Sequence, residues 1–215
     1  MDIFYSPNVF TNVIILTNCF VFYVNSFKPF VSSELVYGCP KHTYVASLPV
    51  LVGLFPAVLI AAYTRQPYSF YKFLFAEWSM ERPYELEWIC LLIAHFLKDF
   101  FTSTLSLDLI LHHFISIGIS SAAIYNKDSQ PGVVCFGGVL LELGSSTFNL
   151  YCLYPKSKQV RCLYKWGMTL SNTATLLTIC AFVHNNRQRH FYLALSTLPT
   201  ILCVFRQKYM LKCLE

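Results

Sequence analysis

The sequence predicts an all-α protein, a multi-pass transmembrane helical bundle of about seven spans, with six as the alternative. The first observation is composition, because 55% of the 215 residues are hydrophobic and only 13% are charged, against about 25% in an ordinary soluble domain. The second is a mean hydropathy of +0.50. A soluble fold of this length needs more polar surface, so a bilayer must solvate much of the chain.

Long apolar segments with short connections supply the predicted spans. A bilayer core of about 30 Å is crossed by about 20 helical residues. The candidate spans are residues 8–27, 44–63, 86–107, 109–125, 132–154, 166–184 and 191–206. Asparagines interrupt the first segment and the last is short, which leaves six spans open. No repeat or linker divides the chain, so residues 1–215 are expected to form a single domain.

The second candidate span, from Tyr44 to Tyr63, has no charged residue but contains Pro49 and Pro56. Proline lacks the backbone N–H and removes a hydrogen bond from the helix ladder. The sequence therefore predicts a kinked helix whose freed carbonyls face protein or water. The connection that follows, residues 64–85, mixes charged and aromatic residues and is expected to lie along the membrane interface.

Basic residues in the connections predict the orientation. With a lumenal N-terminus, nine Lys and Arg residues fall on the cytoplasmic side, with the C-terminus, and six fall on the opposite side. The N-terminus lacks the basic region of a cleaved signal peptide, so the first segment is expected to be retained. The net charge of +5 is spread over the connections, which argues against a nucleic-acid partner. The nine cysteines show no metal-ligand spacing, and no metal site is expected.

Three candidate spans carry ionisable residues, which cost several kcal/mol each at bilayer depth unless they are paired or face the bundle interior. They are His95, Lys98 and Asp99 in the third span, His112 and His113 in the fourth, which opens with Asp108, and Glu142 in the fifth. The other spans carry hydroxyl and amide side chains without a central charge. In the expected orientation these residues fall at compatible depths, so the three spans are predicted to converge on one buried polar site.

Helical spacing predicts which of these side chains share a face. One i, i+3, i+4 set on the third span consists of His95, Lys98 and Asp99. On the fourth span, Asp108, His112 and Ser116 follow one another at intervals of four residues and also share a face. His113 points about 100° away from His112, so the two histidines are not expected to line the same cavity wall.

The fifth span carries a polar stripe around its carboxylate. The stripe follows an i, i+3, i+4, i+7 pattern and consists of Glu142, Ser145, Ser146 and Asn149. Glycines that permit close helix packing flank it, at Gly137, Gly138 and Gly144. Each ionisable residue taken singly is more often a packing residue or half of a structural ion pair. The cluster as a whole favours a functional site.

Three motifs follow one another within residues 88–155. They are Ala-His-Phe-Leu-Lys-Asp (94–99), Leu-Ile-Leu-His-His-Phe-Ile-Ser-Ile (109–117) and Leu-Leu-Glu-Leu-Gly-Ser-Ser-Thr-Phe-Asn-Leu (140–150). An Asp, then a His-His pair, then a Glu and Asn stripe in this order resembles the TLC-domain family of membrane proteins, which includes the ceramide synthases. The resemblance is clearest over residues 88–155 and looser over the rest of the chain.

The resemblance implies a TLC-like bundle around a central lipid cavity, usually in the endoplasmic reticulum. It implies membrane lipids as partners, namely acyl chains, a sphingoid base or ceramide, and no bound cofactor, with acyl-CoA as co-substrate if the protein is an enzyme. Carried over, the candidate catalytic residues are His112, His113 and Asp99. The candidate lipid-binding residues are Glu142, Asn149, Lys98, His95, Ser116 and Ser145.

The chain departs from the ceramide synthases in lacking their further His-Asp pair, their downstream Asp and the N-terminal extension of many of them. It looks more like the smaller TLC-domain proteins, whose activities are diverse. Two hypotheses follow. The first is a non-enzymatic protein that handles lipids or regulates membrane lipid composition. The second is an acyl-CoA-dependent N-acyltransferase that acts on a sphingoid base. A receptor, channel or carrier is a weaker third reading.

Overall fold

A computed structural model describes residues 7–32, 34–65, 69–77, 83–126 and 129–214, with side chains from residue 9 onwards. Of the described residues, 84% are helical, which confirms the all-α prediction. The helices are α1 (Pro7–Ser26), α2 (Lys41–Pro49), α3 (Phe55–Thr64), α4 (Phe70–Phe75), α5 (Pro83–Thr102), α6 (Leu107–Tyr125), α7 (Pro131–Leu153), α8 (Lys158–Asn185) and α9 (His190–Leu214).

Two of the sequence predictions concern residues that lie partly or wholly outside the described ranges. The N-terminal residues 1–6, on which the expectation of an uncleaved N-terminus rests, lie outside the described residues. The same is true of residues 66–68 and 78–82 in the connection that was expected to follow the membrane interface. Within that connection the structure describes the short helix α4, whose N-cap Ser69 accepts a hydrogen bond from the backbone N–H of Lys72.

Among the described residues, five helical segments are long and apolar enough to cross a bilayer, so the chain is an integral membrane protein. They are Val9–Ser26, Lys41–Thr64, Leu107–Tyr125, Pro131–Leu153 and Lys158–Asn185. The remaining long helices, α5 and α9, are not among these five, and they carry four and three charged residues. Five of the predicted spans are thus confirmed as candidates, and a total of about seven, or six, stays a prediction.

Helix α5 lies in the interior of the bundle, where it packs against α1, α3, α6 and α7. Its buried residues include Trp88, Ile93 and Phe96, which form an apolar cluster with Phe55 of α3 and Phe20 of α1. Because neighbouring helices surround α5 on several sides, its charged residues can be sheltered from lipid. This position explains how a helix with four charged residues fits inside a membrane protein.

The two prolines of the second span coincide with an irregular stretch of helix. Residues Val50–Leu54 form a π-helical segment that joins α2, which ends at Pro49, to α3. The indole N–H of Trp88 donates a buried hydrogen bond of 3.1 Å to the carbonyl oxygen of Phe55, directly after this segment. The prolines thus coincide with the irregular helix that they predict, and α5 supplies a polar partner at its buried end, while Val52–Leu54 are exposed.

The glycines of α7 have two different surroundings. A Cβ at Gly138 would strike the ring of Trp88, and one at Gly144 would strike Ser171 and come within 2.7 Å of Arg206. At Gly137, by contrast, no atom lies within 4 Å of the position that a Cβ would take. The predicted close packing is therefore present at Gly138 and Gly144, and Gly137 faces open space.

A small hairpin, which was not predicted, connects α1 to α2. Strands β1 (Leu35–Val36) and β2 (Cys39–Pro40) pair antiparallel across a two-residue turn. Tyr37 and Gly38 both have positive φ, 50° and 81°, as a primed hairpin turn requires, and glycine adopts this conformation without steric cost. The Tyr37 hydroxyl lies 3.5 Å from that of Tyr151, so the hairpin sits against the end of α7.

Candidate functional site

Two neighbouring cavities, each of about 110 Å³, lie within the bundle. This volume is well above the roughly 10–15 Å³ that a single water needs. The first, here called the polar cavity, lies between the hairpin and helices α2, α5, α6 and α7. Its polar wall residues are Cys39, Thr43, Tyr44, Ser47, His95, Asp99, Ser103, His112, His113, Glu142, Ser145 and Asn149.

The second, here called the apolar cavity, lies between helices α5 to α9. Most of its wall is hydrocarbon, supplied by residues such as Leu92, Ile119, Val134, Ile179 and Leu202. Hydroxyl groups, including that of Ser116, contribute the few polar atoms apart from those at its boundary with the polar cavity. Such a space suits an apolar chain, because filling it removes hydrocarbon from water.

The two cavities share three wall residues, Phe96, His112 and Glu142, which are here called the junction. Glu142 is only 4% exposed, in the middle of α7, and His112 lies in the second turn of α6. Neither side chain forms a hydrogen bond or ion pair with another described residue. A buried carboxylate and a half-buried imidazole without hydrogen-bonding protein partners are expensive unless a ligand or water satisfies them.

Next to the junction lies a set of fully paired groups, here called the Asp99 cluster: Lys98, Asp99 and His113. The connection between α5 and α6 is short, so the last turn of α5 lies beside the second turn of α6. The Lys98 ammonium is 2.5 Å from Asp99 Oδ1, and His113 Nε2 is 2.9 Å from Asp99 Oδ2. One carboxylate thus serves two cationic partners, as buried charges require.

Histidine 113 has an acceptor on each side of its ring. Its Nδ1 lies 2.7 Å from the carbonyl oxygen of Leu109, and its Nε2 faces the Asp99 carboxylate. A carbonyl and a carboxylate can only accept, so both bonds form together only when both ring nitrogens carry protons. The geometry therefore fits His113 as an imidazolium fixed in place, and it leaves His112 as the imidazole with free nitrogens in the histidine pair.

His95 also contributes to the polar cavity. Its ring meets the rings of Phe20 and Phe55 edge-on, with centroids 5.7 and 5.3 Å away. Its Nδ1 is buried without a hydrogen-bond partner among the described residues. Asn149 and Ser145, both on α7, complete the wall near Glu142. The polar cavity thus combines imidazole, carboxylate, amide and hydroxyl groups within one space.

The structure brings most of the predicted site residues together and separates a few. His112, His113, Asp99, His95, Glu142, Ser145 and Asn149 all line the polar cavity. The expectation that the two histidines would not line the same wall was wrong, because the cavity extends around α6 far enough to reach both. Ser116 lies in the apolar cavity instead. Lys98 lies behind the wall, 1% exposed, with its ammonium on Asp99. The catalytic and lipid-binding roles of these residues stay predictions.

Arg206, which was not predicted as a site residue, is buried in α9. Its guanidinium donates to Asn172 Oδ1 at 3.1 Å, to Ser145 Oγ at 3.0 Å and to the carbonyl oxygen of Leu141 at 2.7 Å. Within the described part of the chain, no carboxylate lies within ion-pair distance of it. Arg206 therefore ties α7, α8 and α9 together on either side of Glu142, and it places a positive charge near the junction.

Arg206 was missed because the last predicted span ended at residue 206, which assigned its charge to a cytoplasmic tail. Helix α9 continues to Leu214, and the residue is within it. A signal was present: Leu202, Cys203 and Met210 precede or follow Arg206 by three or four positions, which places it on the apolar face of a longer helix. All three of those neighbours are buried.

The comparisons with known proteins add no further assignment. No family model matches the chain, and neither a curated protein nor a solved structure matches it. Among the described residues, no group of three or more His, Cys, Asp or Glu side chains is placed to hold a metal ion. The fold and the site define an integral membrane helical protein with paired cavities, one polar and one apolar, that meet at His112 and Glu142.

Proposed function

We propose that this protein binds a membrane lipid inside the bundle and takes part in handling lipids or regulating membrane lipid composition. The observation that carries the proposal is the junction, where His112 and Glu142 face both cavities without a protein partner. A lipid placed across it has its hydrocarbon chain among apolar side chains and its polar end beside an imidazole and a carboxylate. Each part of an amphipathic molecule then meets groups of its own polarity.

The site residues divide into two roles under this proposal. His112 and Glu142 contact the polar end of the lipid directly, and His95, Ser145 and Asn149 offer further hydrogen bonds to it. Asp99, Lys98 and His113 position the wall and fix its charge. Ser116 lies along the chain in the apolar cavity.

The resemblance to the TLC-domain family supports the same proposal, because that family is associated with lipids. It also suggests a location in the endoplasmic reticulum, with acyl chains, a sphingoid base or ceramide as the lipid class. We further propose the orientation that the basic residues favour, with a lumenal N-terminus and a cytoplasmic C-terminus. Protease accessibility of tags at the two ends, in sealed microsomes, tests this orientation.

Native mass spectrometry of the purified protein tests the lipid proposal. The native chain should retain a lipid through purification, and Glu142→Gln or His112→Ala should retain much less. Glu77→Gln is the matched control, because Glu77 is an exposed carboxylate paired with Arg189 outside the helices. Retention by Glu77→Gln should equal that of the native chain. A native chain without lipid, or equal retention by all variants, contradicts the proposal.

The Asp99 cluster favours a second candidate function, an acyl-CoA-dependent N-acyltransferase of the ceramide-synthase type. The His112 ring lies next to the ring of His113, with centroids 5.5 Å apart, and His113 is fixed by Asp99. In such a reaction the amine nitrogen attacks the thioester carbonyl, and the carbon–sulfur bond breaks. His112, with free ring nitrogens, accepts the proton of the amine and returns it to the leaving thiolate. The charged ring of His113 would stabilise the negative oxygen that forms in between.

An activity assay separates the two candidates. Protein reconstituted in liposomes, supplied with a long-chain acyl-CoA and a sphingoid base, should form the amide if it is a transferase. His112→Ala should abolish product, and the same loss in His113→Ala would support its electrostatic role. Product formation at the native rate in both variants contradicts this mechanism. No product from the native protein, with lipid retention intact, leaves lipid binding without catalysis as the function.

A further inference from the structure

Helix α7 supplies one wall of the apolar cavity, and its wall residues extend along the helix from the junction. From Glu142 it continues through Leu141, Gly138 and Gly137 to Val134 and Val133. At a rise of about 1.5 Å per residue, the distance from Glu142 to Val133 is roughly 13 Å along the helix. Gly137 lies about halfway along this path.

At Gly137 the wall has no side chain, and no neighbouring side chain fills the space that one would occupy. It lies three residues after Val134 and four before Leu141, so all three share one face of α7, and all three line the cavity. No atom lies within 4 Å of the position of its absent Cβ. At the adjacent Gly138, the Trp88 ring occupies that space.

We infer that the ligand places a single unbranched hydrocarbon chain in the apolar cavity and that Gly137 determines how long that chain can be. This inference rests on the proposed lipid-binding function. A chain anchored at the junction must pass Gly137 to reach the far half of the cavity. A large side chain there divides the cavity and leaves only the half next to Glu142 available to the chain, whereas a single methyl group narrows the passage.

Binding of straight-chain saturated fatty acids, from hexanoic to stearic acid, tests this inference. Affinity is measured by native mass spectrometry on the full-length protein in lipid nanodiscs. For the native chain, affinity should rise about fourfold for each added methylene that fits the cavity. For Gly137→Leu the rise should stop at a shorter acid, while the shortest acids bind as they do to the native chain. Gly137→Ala should give a smaller shift in the same direction and covers the case in which the leucine variant fails to fold.

Gly118→Leu is the matched control. Gly118 is an exposed position of α6, it has no atom within 4 Å of its absent Cβ, and it is outside the wall of the apolar cavity. Its chain-length profile should equal that of the native chain. If the native affinity rises with chain length and both Gly137 variants keep the same profile, the inference is wrong. If native affinity does not depend on chain length at all, the proposed lipid-binding function itself fails.

Discussion

The Asp99 cluster and the junction lie side by side in one cavity wall, yet their ionisable groups differ in pairing. Those of the cluster have protein partners and those of the junction do not. In the cluster, Asp99 holds Lys98 at 2.5 Å and His113 at 2.9 Å, and the second nitrogen of His113 is bonded as well. At the junction, Glu142 and His112 have no such partner among the described residues. Buried polar groups with hydrogen-bond partners stabilise the protein, whereas buried polar groups without such partners require a ligand or water. The Asp99 cluster is therefore part of the scaffold, and the adjoining junction is part of the binding site.

The largest expected effect comes from removing the central carboxylate of the cluster. Asp99→Asn leaves the Lys98 ammonium buried without a counter-charge, which should lower the free energy of unfolding by about 3–5 kcal/mol. Reversible unfolding in detergent micelles measures the loss. The double variant Lys98→Met with Asp99→Asn should recover part of it, since the buried ammonium is then absent. A single variant as stable as the native chain contradicts the scaffold role of the cluster.

The two adjacent histidines provide the next comparison. His113→Ala removes a charge-assisted hydrogen bond to Asp99 and should cost about 2–3 kcal/mol of unfolding free energy. His112→Ala breaks no hydrogen bond to a described residue and should cost about 1 kcal/mol or less. The same unfolding measurement applied to both variants tests the difference. Equal losses would show that the two histidines have the same role.

The glycines of α7 test how Arg206 is accommodated beside the junction. Gly144→Ala places a methyl group 2.7 Å from the guanidinium and against Ser171, and such overpacking should cost about 1–3 kcal/mol. Gly137→Ala meets no atom and should leave stability unchanged, or raise it by up to about 1 kcal/mol through helix propensity. Thermal unfolding of the two alanine variants distinguishes them. A stable Gly144→Ala protein would mean that Arg206 has another position available.

The smallest effect is expected at Glu142, and this makes it informative. Glu142→Gln keeps the size of the side chain and breaks no hydrogen bond to the described residues, so stability should change by less than about 0.5 kcal/mol. Lipid retention should nevertheless fall, which separates binding from folding. A large loss of stability in this variant would place Glu142 in the scaffold together with the Asp99 cluster.

The predicted helices agree well with the structure, because apolar length is a local property of the chain. The segment predicted at 132–154 is α7 at Pro131–Leu153, and the one predicted at 109–125 is α6 at Leu107–Tyr125. Polar residues at helical spacing likewise indicated one convergent site. The hairpin was missed because Tyr37-Gly38 is a weaker turn signal than Asn-Gly or Asp-Gly. Arg206 was missed because a span boundary was placed one helix turn or more too early.

The sequence by itself determined that this is a helical membrane protein and that costly ionisable groups on three segments must be sheltered together. These conclusions follow from hydrocarbon content and helical periodicity, which need no knowledge of the partners. Only the tertiary structure decided which groups pair with one another. Asp99 is paired with Lys98 and His113, and Arg206 is bonded to neutral groups. Glu142 and His112 are left facing the cavities, because pairing depends on which helices become neighbours and at what register.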